Sequence, residues 1–374
     1  MEKRKLGKSQ NATSLLGFGC MRLPLKNDGT IDQAEAFKLF DLAYQGGVNY
    51  YDTAYPYHRG QSEEVLGNWL QTIDRTSVLV ATKSPVWLLT TPEDFDLYLQ
   101  KQLTKLQTNY IDYYLLHALD KERFEKLVEL GVFAKLEDAK RNGLIRHVGF
   151  SFHDTYDVFE KILTYHPWDF CQIQLNYMDT DYQAGLTGLR LAESLGICVT
   201  VMEPVKGGSL AKVSDEIKKL FDSMDPLASP ASFALRYVAS QSNVQTVLSG
   251  MSDRSQVEDN LKTFADFKPM DEHDINKMLQ AADLMRQKIQ VPCTACRYCM
   301  PCPYGIDIPS NFSHYNDAFI YGEVAKSKQR YMEWMDASER ASACVSCQAC
   351  VSKCPQHILI PDCLVEVARL FEGD

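Results

Sequence analysis

Eight short apolar or β-branched runs, each separated from the next by a longer segment, recur between residues 15 and 249 of this chain. They are Leu15 to Cys20, Val48 to Asp52, Val78 to Lys83, Ile111 to His117, His147 to Ser151, Phe170 to Leu175, Cys198 to Met202 and Val244 to Ser249. Helical periodicity fills the intervals, as in Ile31 to Gln45, Pro92 to Leu106, Arg123 to Asn142 and Ser229 to Ser240. Strands that alternate with helices make a parallel sheet of repeated βα units. Several helical segments close on Gly or Asn just before the next strand, in GGVNYYD, RNGLIRH and SLGICVT, as helix ends do. No Gly-x-Gly-x-x-Gly follows an early strand, so the usual mark of an open dinucleotide-binding sheet is missing. The pattern predicts an α/β fold, a (β/α)8 TIM barrel of about 250 residues, and the 374-residue chain leaves room for a smaller unit.

That unit begins after Asp271 to Gln290, whose apolar residues fall at helical spacing, and Pro292 opens a cysteine-rich part. The expected organisation is a barrel over 1–270, a connecting helix over 271–291 and a small, mostly α-helical domain over 292–374. Eight of the twelve cysteines lie between Cys293 and Cys354. The charged start MEKRKLGKSQ lacks a signal peptide's apolar stretch, and no apolar run approaches the ~20 residues of a membrane span. A cytoplasmic protein with no membrane attachment is expected, and in a reducing compartment clustered cysteines point to metal rather than disulfides. A net charge of −10 with no compact Lys/Arg block argues against nucleic acid as a partner.

Cys344-x2-Cys347-x2-Cys350-x3-Cys354-Pro355 matches the bacterial ferredoxin run for a [4Fe–4S] cluster, whose fourth cysteine ligates the other cluster of a pair. Paired Cys-x-x-Cys knuckles also bind zinc, but three close cysteines followed by Cys-Pro suit a cubane better. The first motif, Cys293-x2-Cys296-x2-Cys299-x2-Cys302-Pro303, is one residue shorter before its last cysteine. Helices expected around Asn311 to Lys326 and Lys328 to Glu339 separate the motifs, and the whole resembles α-helical dicluster ferredoxin domains. The resemblance implies two [4Fe–4S] clusters with exchanged ligands: Cys293, Cys296, Cys299 and Cys354 for one, Cys344, Cys347, Cys350 and Cys302 for the other. Cys20, Cys171, Cys198 and Cys363 fall outside the motifs and read as small hydrophobes.

In a parallel barrel the reaction site sits at the C-terminal ends of the strands, where Asp52, Lys83 and His117 fall. Singly they read as a helix cap, a rim charge and a core histidine; jointly they read as a site. Tyr51-Asp52-Thr53-Ala54-Tyr55-Pro56-Tyr57, then Ala81-Thr82-Lys83, then Asp112-Tyr113-Tyr114-Leu115-Leu116-His117 resemble the aldo-keto reductase family, and the likeness runs to about Phe264. Carried over by position, it implies a tetrad of Asp52, Tyr57, Lys83 and His117; Tyr55 misses the offset. Reducing a carbonyl with hydride needs a proton donor at the developing alkoxide. Tyr57 would be that acid, with Lys83 lowering its pKa, Asp52 holding the ammonium and His117 orienting the carbonyl oxygen.

Barrels often bind phosphate in the loops after strands seven and eight. The first loop holds Pro204, Val205, Gly207, Gly208 and Leu210, with glycines that permit close backbone approach. The second holds Gly250, Ser252, Arg254 and Gln256 through Asn260, opening a helix. The resemblance implies that Ser151 and Gln174 contact the nicotinamide carboxamide and that Asp259 and Asn260 lie near the adenine. Phe152 stands where an asparagine is common. Gln256 stands where NADP-preferring relatives often have arginine, with Arg254 two residues away, so NADP and NAD both stay open. Tyr55, Trp87 and Tyr177 are candidate pocket walls.

The resulting expectation is an NAD(P)H-dependent oxidoreductase interconverting a small carbonyl and an alcohol. Its clusters would link it to a ferredoxin- or flavodoxin-like one-electron carrier or serve structure alone, since no flavin signature converts two electrons to one. The alternative is a redox-responsive nicotinamide- and partner-binding module with little turnover.

Overall fold

Strands with both faces covered have no polar side to alternate, and all six residues of Leu79–Ser84 are buried. The computed structural model describes residues 1–5, 7, 12–293, 295, 297–354 and 356–373. Eight parallel strands close into a barrel: β1 (Leu16–Gly19), β2 (Tyr50–Asp52), β3 (Leu79–Ser84), β4 (Ile111–Leu119), β5 (Ile145–Phe152), β6 (Phe170–Gln174), β7 (Cys198–Met202) and β8 (Val244–Ser249). Each pairs with its sequence neighbour, and β8 returns to β1 with Val247 opposite Leu16. The expected (β/α)8 barrel is the observed fold. Lys3–Arg4 and Thr13–Ser14 form a short antiparallel pair before it.

Tyr50, Leu79, Ala81, Tyr113, Leu115, Phe170, Cys198 and Leu248 pack together as one buried cluster. Side chains alternate along a strand, so the parity of this cluster continues to Asp52 on β2, Lys83 on β3, His117 on β4 and Gln172 on β6. Alternation therefore sends these four polar side chains to the same face as the cluster.

Around the barrel run α1 (Gln33–Gln45), α2 (Ser62–Leu70), α3 (Pro92–Lys105), α4 (Lys121–Glu129), α5 (Val132–Arg141), α6 (Tyr156–Tyr165) and α7 (Gly185–Ser194). They are followed by α8 (Asp215–Asp222), α9 (Pro230–Ala239), α10 (Arg254–Ala265) and α11 (Glu272–Arg286). The single helix expected over Arg123 to Asn142 is two, because Gly131 takes φ 66° between α4 and α5, a conformation glycine accepts and a continuing helix does not.

Two compact units emerge, one of residues 1–211 and 227–275, the other of 212–226 and 276–374. The division falls inside α11 rather than at Pro292, and the 212–226 segment groups with the C-terminal unit. The latter contains α12 (Ile308–Ile320), α13 (Val324–Trp334) and α14 (Ile360–Phe371). Phe312, Tyr331, Leu364, Val367 and Phe371 form its buried centre. The helices expected over Asn311 to Lys326 and Lys328 to Glu339 both lie several residues earlier, divided at Gly322 with φ 65°. Among the described residues no helix is long and apolar enough to cross a membrane.

Candidate active site and cysteine sites

At the end of β2, Asp52 is 3% exposed and Lys83 on β3 is 1% exposed. Lys83 Nζ donates to Asp52 Oδ1 at 2.5 Å, to Thr53 O at 2.8 Å and to Tyr57 Oη at 3.4 Å. Gln172 Nε2 donates to Asp52 Oδ2 at 3.0 Å, so both carboxylate oxygens are engaged and the buried ion pair is not left with an open valence. Tyr57 opens a tight turn whose next residues, His58 and Arg59, have φ of 50° and 55°. His58 Nε2 anchors that turn by accepting from the Leu23 N–H at 3.1 Å. Tyr55, the residue that misses the offset, meets Tyr98 edge-on with ring centroids 5.3 Å apart, away from this cluster of bonds.

His117 reaches the site through a fault in its strand. The β4–β5 register shifts between Leu116 and Leu119, and Ala118 has φ 53°, a strained setting for a residue with a Cβ. The Ala118 N–H, turned off the ladder, donates to Ser151 Oγ at 2.7 Å. The imidazole lies with its centroid 6.1 Å from the Tyr57 ring and 5.3 Å from Trp87. Its Nδ1 is buried without a hydrogen-bond partner among the described residues, a state that invites an incoming polar group.

Burial pushes the Tyr57 phenol up from its ordinary value of 10.0, with Lys83 pulling the other way and Asp52 adding to the rise. The net direction reverses the expected lowering: Lys83 acts as anticipated, but desolvation outweighs it, and the phenol keeps its proton. Burial opposes the Lys83 ammonium, yet Asp52 and Tyr57 hold its pKa above the usual lysine value. His117 is held well below 6.5, first by burial and then by the charges of Lys83, His153 and Arg123. It is a neutral imidazole at neutral pH.

His58, His147, His153, His166 and His314 are likewise lowered, each chiefly by burial. Below about pH 6.5 the unfolded chain binds protons that these folded sites refuse. The stability they allow is therefore complete above that pH and lost as pH falls through the window beneath it. Urea midpoints read from tryptophan emission should be level from pH 8 to 7 and decline by pH 5.5, and His117→Asn should shallow the decline. A level midpoint down to pH 5.5 would contradict this.

The loop after β7 carries four left-handed residues, Glu203 (φ 56°), Lys206 (48°), Gly207 (60°) and Gly208 (88°). A Cβ on Gly208 would meet no atom within 4 Å, so that backbone is open to close approach. Pro204 is buried, Val205 O accepts from the Gly208 and Leu210 N–H groups, and the Leu210 side chain is fully buried. Gln174 Nε2, Asn176 Nδ2 and Lys206 Nζ all converge on Asp179 Oδ2, at 3.0, 3.0 and 2.6 Å. After β8, the Arg22 side chain lies against Gly250, and Ser252 N–H donates to Gln256 Oε1 at 2.9 Å. Arg254, largely exposed, pairs with Glu258 at 2.7 Å. Asp259 accepts from Ser229 Oγ, the cap of α9, and Asn260 Nδ2 donates to Ser249 Oγ. Phe152 is fully buried against Phe150 and Phe159.

Of the candidate walls, Trp87 stands beside His117, whereas Tyr177 is fully buried and is core. Sequence reasoning passed over Gln172 and Glu63; strand parity alone would have turned Gln172 to the same face as Asp52.

In the C-terminal unit the cysteines ring two cavities. One is lined by Cys302, Cys344, Cys347 and Cys350 with Ile306, Ile308 and Leu364. The other is lined by Cys293, Cys299 and Cys354 with Ile308, Phe312 and Ile360. Cys296 lies outside the described residues. In each motif the residues flanking the second cysteine are left-handed, Ala295 and Arg297 at 54° and 60°, Ser346 and Gln348 at 53° and 62°. The described flanking positions thus adopt the same left-handed conformation in both motifs. The Ser346 N–H points at Cys344 Sγ, 3.4 Å away. Among the described residues no three potential ligands gather as they would around a single ion; four thiols lining one cavity and three the other are the donor set an iron-sulfur cluster takes. Cys20, Cys171 and Cys198 are buried in the barrel unit and Cys363 is half-buried.

The barrel and this cluster of Asp, Tyr, Lys and His define an oxidoreductase of the aldo/keto reductase family, to which the chain belongs, the family model matching residues 15–283. A 4Fe-4S dicluster domain model matches residues 292–359. The chain is 28% identical over 312 residues to the uncharacterized oxidoreductase YqkF of Bacillus subtilis, covering 75% of this chain and 96% of the relative. It is 27% identical to an NADH-specific methylglyoxal reductase of Escherichia coli, covering 70% and 93%. A solved aldo-keto reductase of Bacillus halodurans in its holo form superposes with a TM-score of 0.64 at 26% identity, covering 75% of this chain and 96% of that one.

Proposed function

We propose that the barrel interconverts a small carbonyl compound and its alcohol, with Tyr57 as the proton donor, and that the observation carrying this is the Lys83 ammonium bonded at once to Asp52, Thr53 O and Tyr57 Oη. A bound NADH or NADPH supplies the hydride. Ser151, Gln174, the left-handed 203–208 loop and the 250–260 segment, with Gly250, Ser252, Arg254, Gln256, Asp259 and Asn260, would hold it, and the open backbone at Gly208 suits a pyrophosphate. The neutral His117, its Nδ1 unpartnered, orients the carbonyl oxygen by a hydrogen bond rather than as a charge. Tyr57, protonated through burial, releases its proton to the developing alkoxide, and the adjacent ammonium stabilises the phenolate left behind.

Cys293, Cys296, Cys299 and Cys354 would hold one [4Fe–4S] cluster and Cys302, Cys344, Cys347 and Cys350 the other. Bound clusters supply one-electron transfer, and a ferredoxin- or flavodoxin-like carrier is the partner that chemistry fits. Thiol ligands suit the reducing cytoplasm. For the barrel, the deciding experiment is anaerobic NADH and NADPH oxidation against a panel of aldehydes and ketones, headed by methylglyoxal with NADH because the Escherichia coli relative is named for that pair. Turnover of at least one carbonyl is expected; none with either coenzyme would overturn the reading.

A further inference from the structure

On the face of β3 opposite Lys83, the first turn of α2 buries a carboxylate that the proposed reaction does not use. Glu63 is fully buried, and its Oε1 accepts from Thr82 Oγ1 at 2.7 Å and from Gln102 Nε2 at 2.6 Å. Thr82 directly precedes Lys83. Gln102, on α3, also donates to Lys83 O at 3.0 Å and accepts from Tyr114 Oη at 2.7 Å. Tyr114 pairs in register with Thr82 and sits on β4, the strand of His117. Lys105, one turn further along α3, lies 3.8 Å from Glu63 Oε2 and donates to Gly60 O at 2.9 Å. Gly60, with φ 87°, ends the left-handed turn that begins at Tyr57. Beside Glu63, Ser62 Oγ is hydrogen-bonded to Thr53 Oγ1 at 2.9 Å and donates to Cys20 O at 3.0 Å, which fixes the residue after Asp52.

A carboxylate taken out of water is unfavourable unless its bonds are well used, and an apolar side chain would fill this space without that cost. The bonds of Ser62, Glu63 and their partners instead end next to Asp52, next to Lys83, on the strand of His117 and on the turn of Tyr57. The chain keeps α2 and α3 close enough for this through Gly67, where a Cβ would come within 3 Å of the Lys105 and Leu106 backbone. We propose that Glu63 is a positioning residue for the active site, gripping from outside the barrel the backbone that sets Lys83, His117 and Tyr57 relative to one another. The inference rests on the reductase reading of those residues. Its physical basis is that displacing reacting groups by about 1 Å costs on the order of 100-fold in rate even when the change is remote from the chemistry.

The test uses the full, cluster-loaded protein with a carbonyl that the wild type turns over. Glu63→Gln keeps an oxygen that accepts both bonds; Glu63→Ala removes both; Thr82→Val removes one with little change in shape. The expected result is a kcat lowered about 100-fold in Glu63→Ala and about 10-fold in Thr82→Val, with KM little changed. Glu63→Gln should stay within about fivefold of the wild type, the rescue that a hydrogen-bond anchor allows. The deuterium isotope effect from labelled coenzyme should rise in Glu63→Ala as hydride transfer limits the rate. A folded Glu63→Ala with near-normal kcat, or a Glu63→Gln as damaged as Glu63→Ala, overturns the proposal. Should Glu63→Ala fail to fold, Thr82→Val decides: a lowered kcat at a native melting temperature upholds it and an unchanged kcat overturns it. Wild-type turnover with a flat variant series defeats this inference alone, whereas a wild type without turnover defeats the reductase reading and this inference with it.

Discussion

Tyr57→Phe should lower carbonyl reduction by about 1000-fold, within the range that a positioned proton donor contributes, while leaving coenzyme affinity within about threefold. The hydroxyl lost is the one that meets Lys83 Nζ at 3.4 Å, and the phenyl ring left behind can keep its edge-on packing against His117. No other group replaces it. His117 is held so far below its ordinary pKa, by burial and by the neighbouring Lys83, His153 and Arg123, that it has no ionised proton to hand over near neutral pH. Lys83 is kept charged by Asp52 and Tyr57 and cannot give up a proton without leaving Asp52 as an uncompensated buried charge. The measurement is kcat/KM for the best carbonyl of the panel, with coenzyme binding followed by fluorescence. A nicotinamide-sensing module would have no such rate to lose, and a rate preserved within tenfold would mean that Tyr57 is not the proton donor.

The barrel and the strand-end positions of Asp52, Lys83 and His117 were legible in the sequence because they rest on short-range patterns, whereas Tyr57 was reached only through the family resemblance. Continuous apolar runs ending on Asp52, Lys83 and His117 give strand, parity and rim position together. What escaped is what depends on departures from pattern. Nothing in Leu116-His117-Ala118-Leu119 announces that Ala118 will be left-handed, since that conformation is imposed by the strand's surroundings and opposed by its own Cβ. The net rise of the Tyr57 pKa escaped for a similar reason: Lys83 is visible as a neighbour, but the extent of burial that overrules it is set by the assembled barrel. Glu63 reads locally as an acidic residue in a helix's first turn, where a solvated carboxylate is ordinary, and only the approach of α3 turns it into a buried acceptor. The amphipathic segment of α14 was present in the sequence yet overshadowed by the cysteine motif before it.

The proposed exchange of ligands between two clusters should appear as a crossed pattern of iron loss. Ile308 lines both cavities, and Cys302 from the first motif lies with Cys344, Cys347 and Cys350, whereas Cys354 from the second lies with Cys293 and Cys299. Two ligands removed from the same cavity therefore strike one cluster; two from different cavities strike both. Cys302→Ala with Cys344→Ala should leave about four irons of an original eight or so, and Cys302→Ala with Cys299→Ala should leave almost none. Ligation in sequence order inverts the two results, so iron and sulfide counts on anaerobically purified variants separate the arrangements. Stripping both clusters should also unfold the C-terminal unit. The thiols that line the two cavities come from both motifs, and Cys-ligated metal that ties such segments together can supply the folding energy of a small domain outright. Chelation of the reduced protein should then remove the helical signal of this unit while Trp69 and Trp168, buried in the barrel unit, keep their native emission. Loss of both signals together would mean that the barrel depends on the clusters for its fold, and loss of neither would mean that the thiols and apolar walls close over the space unaided.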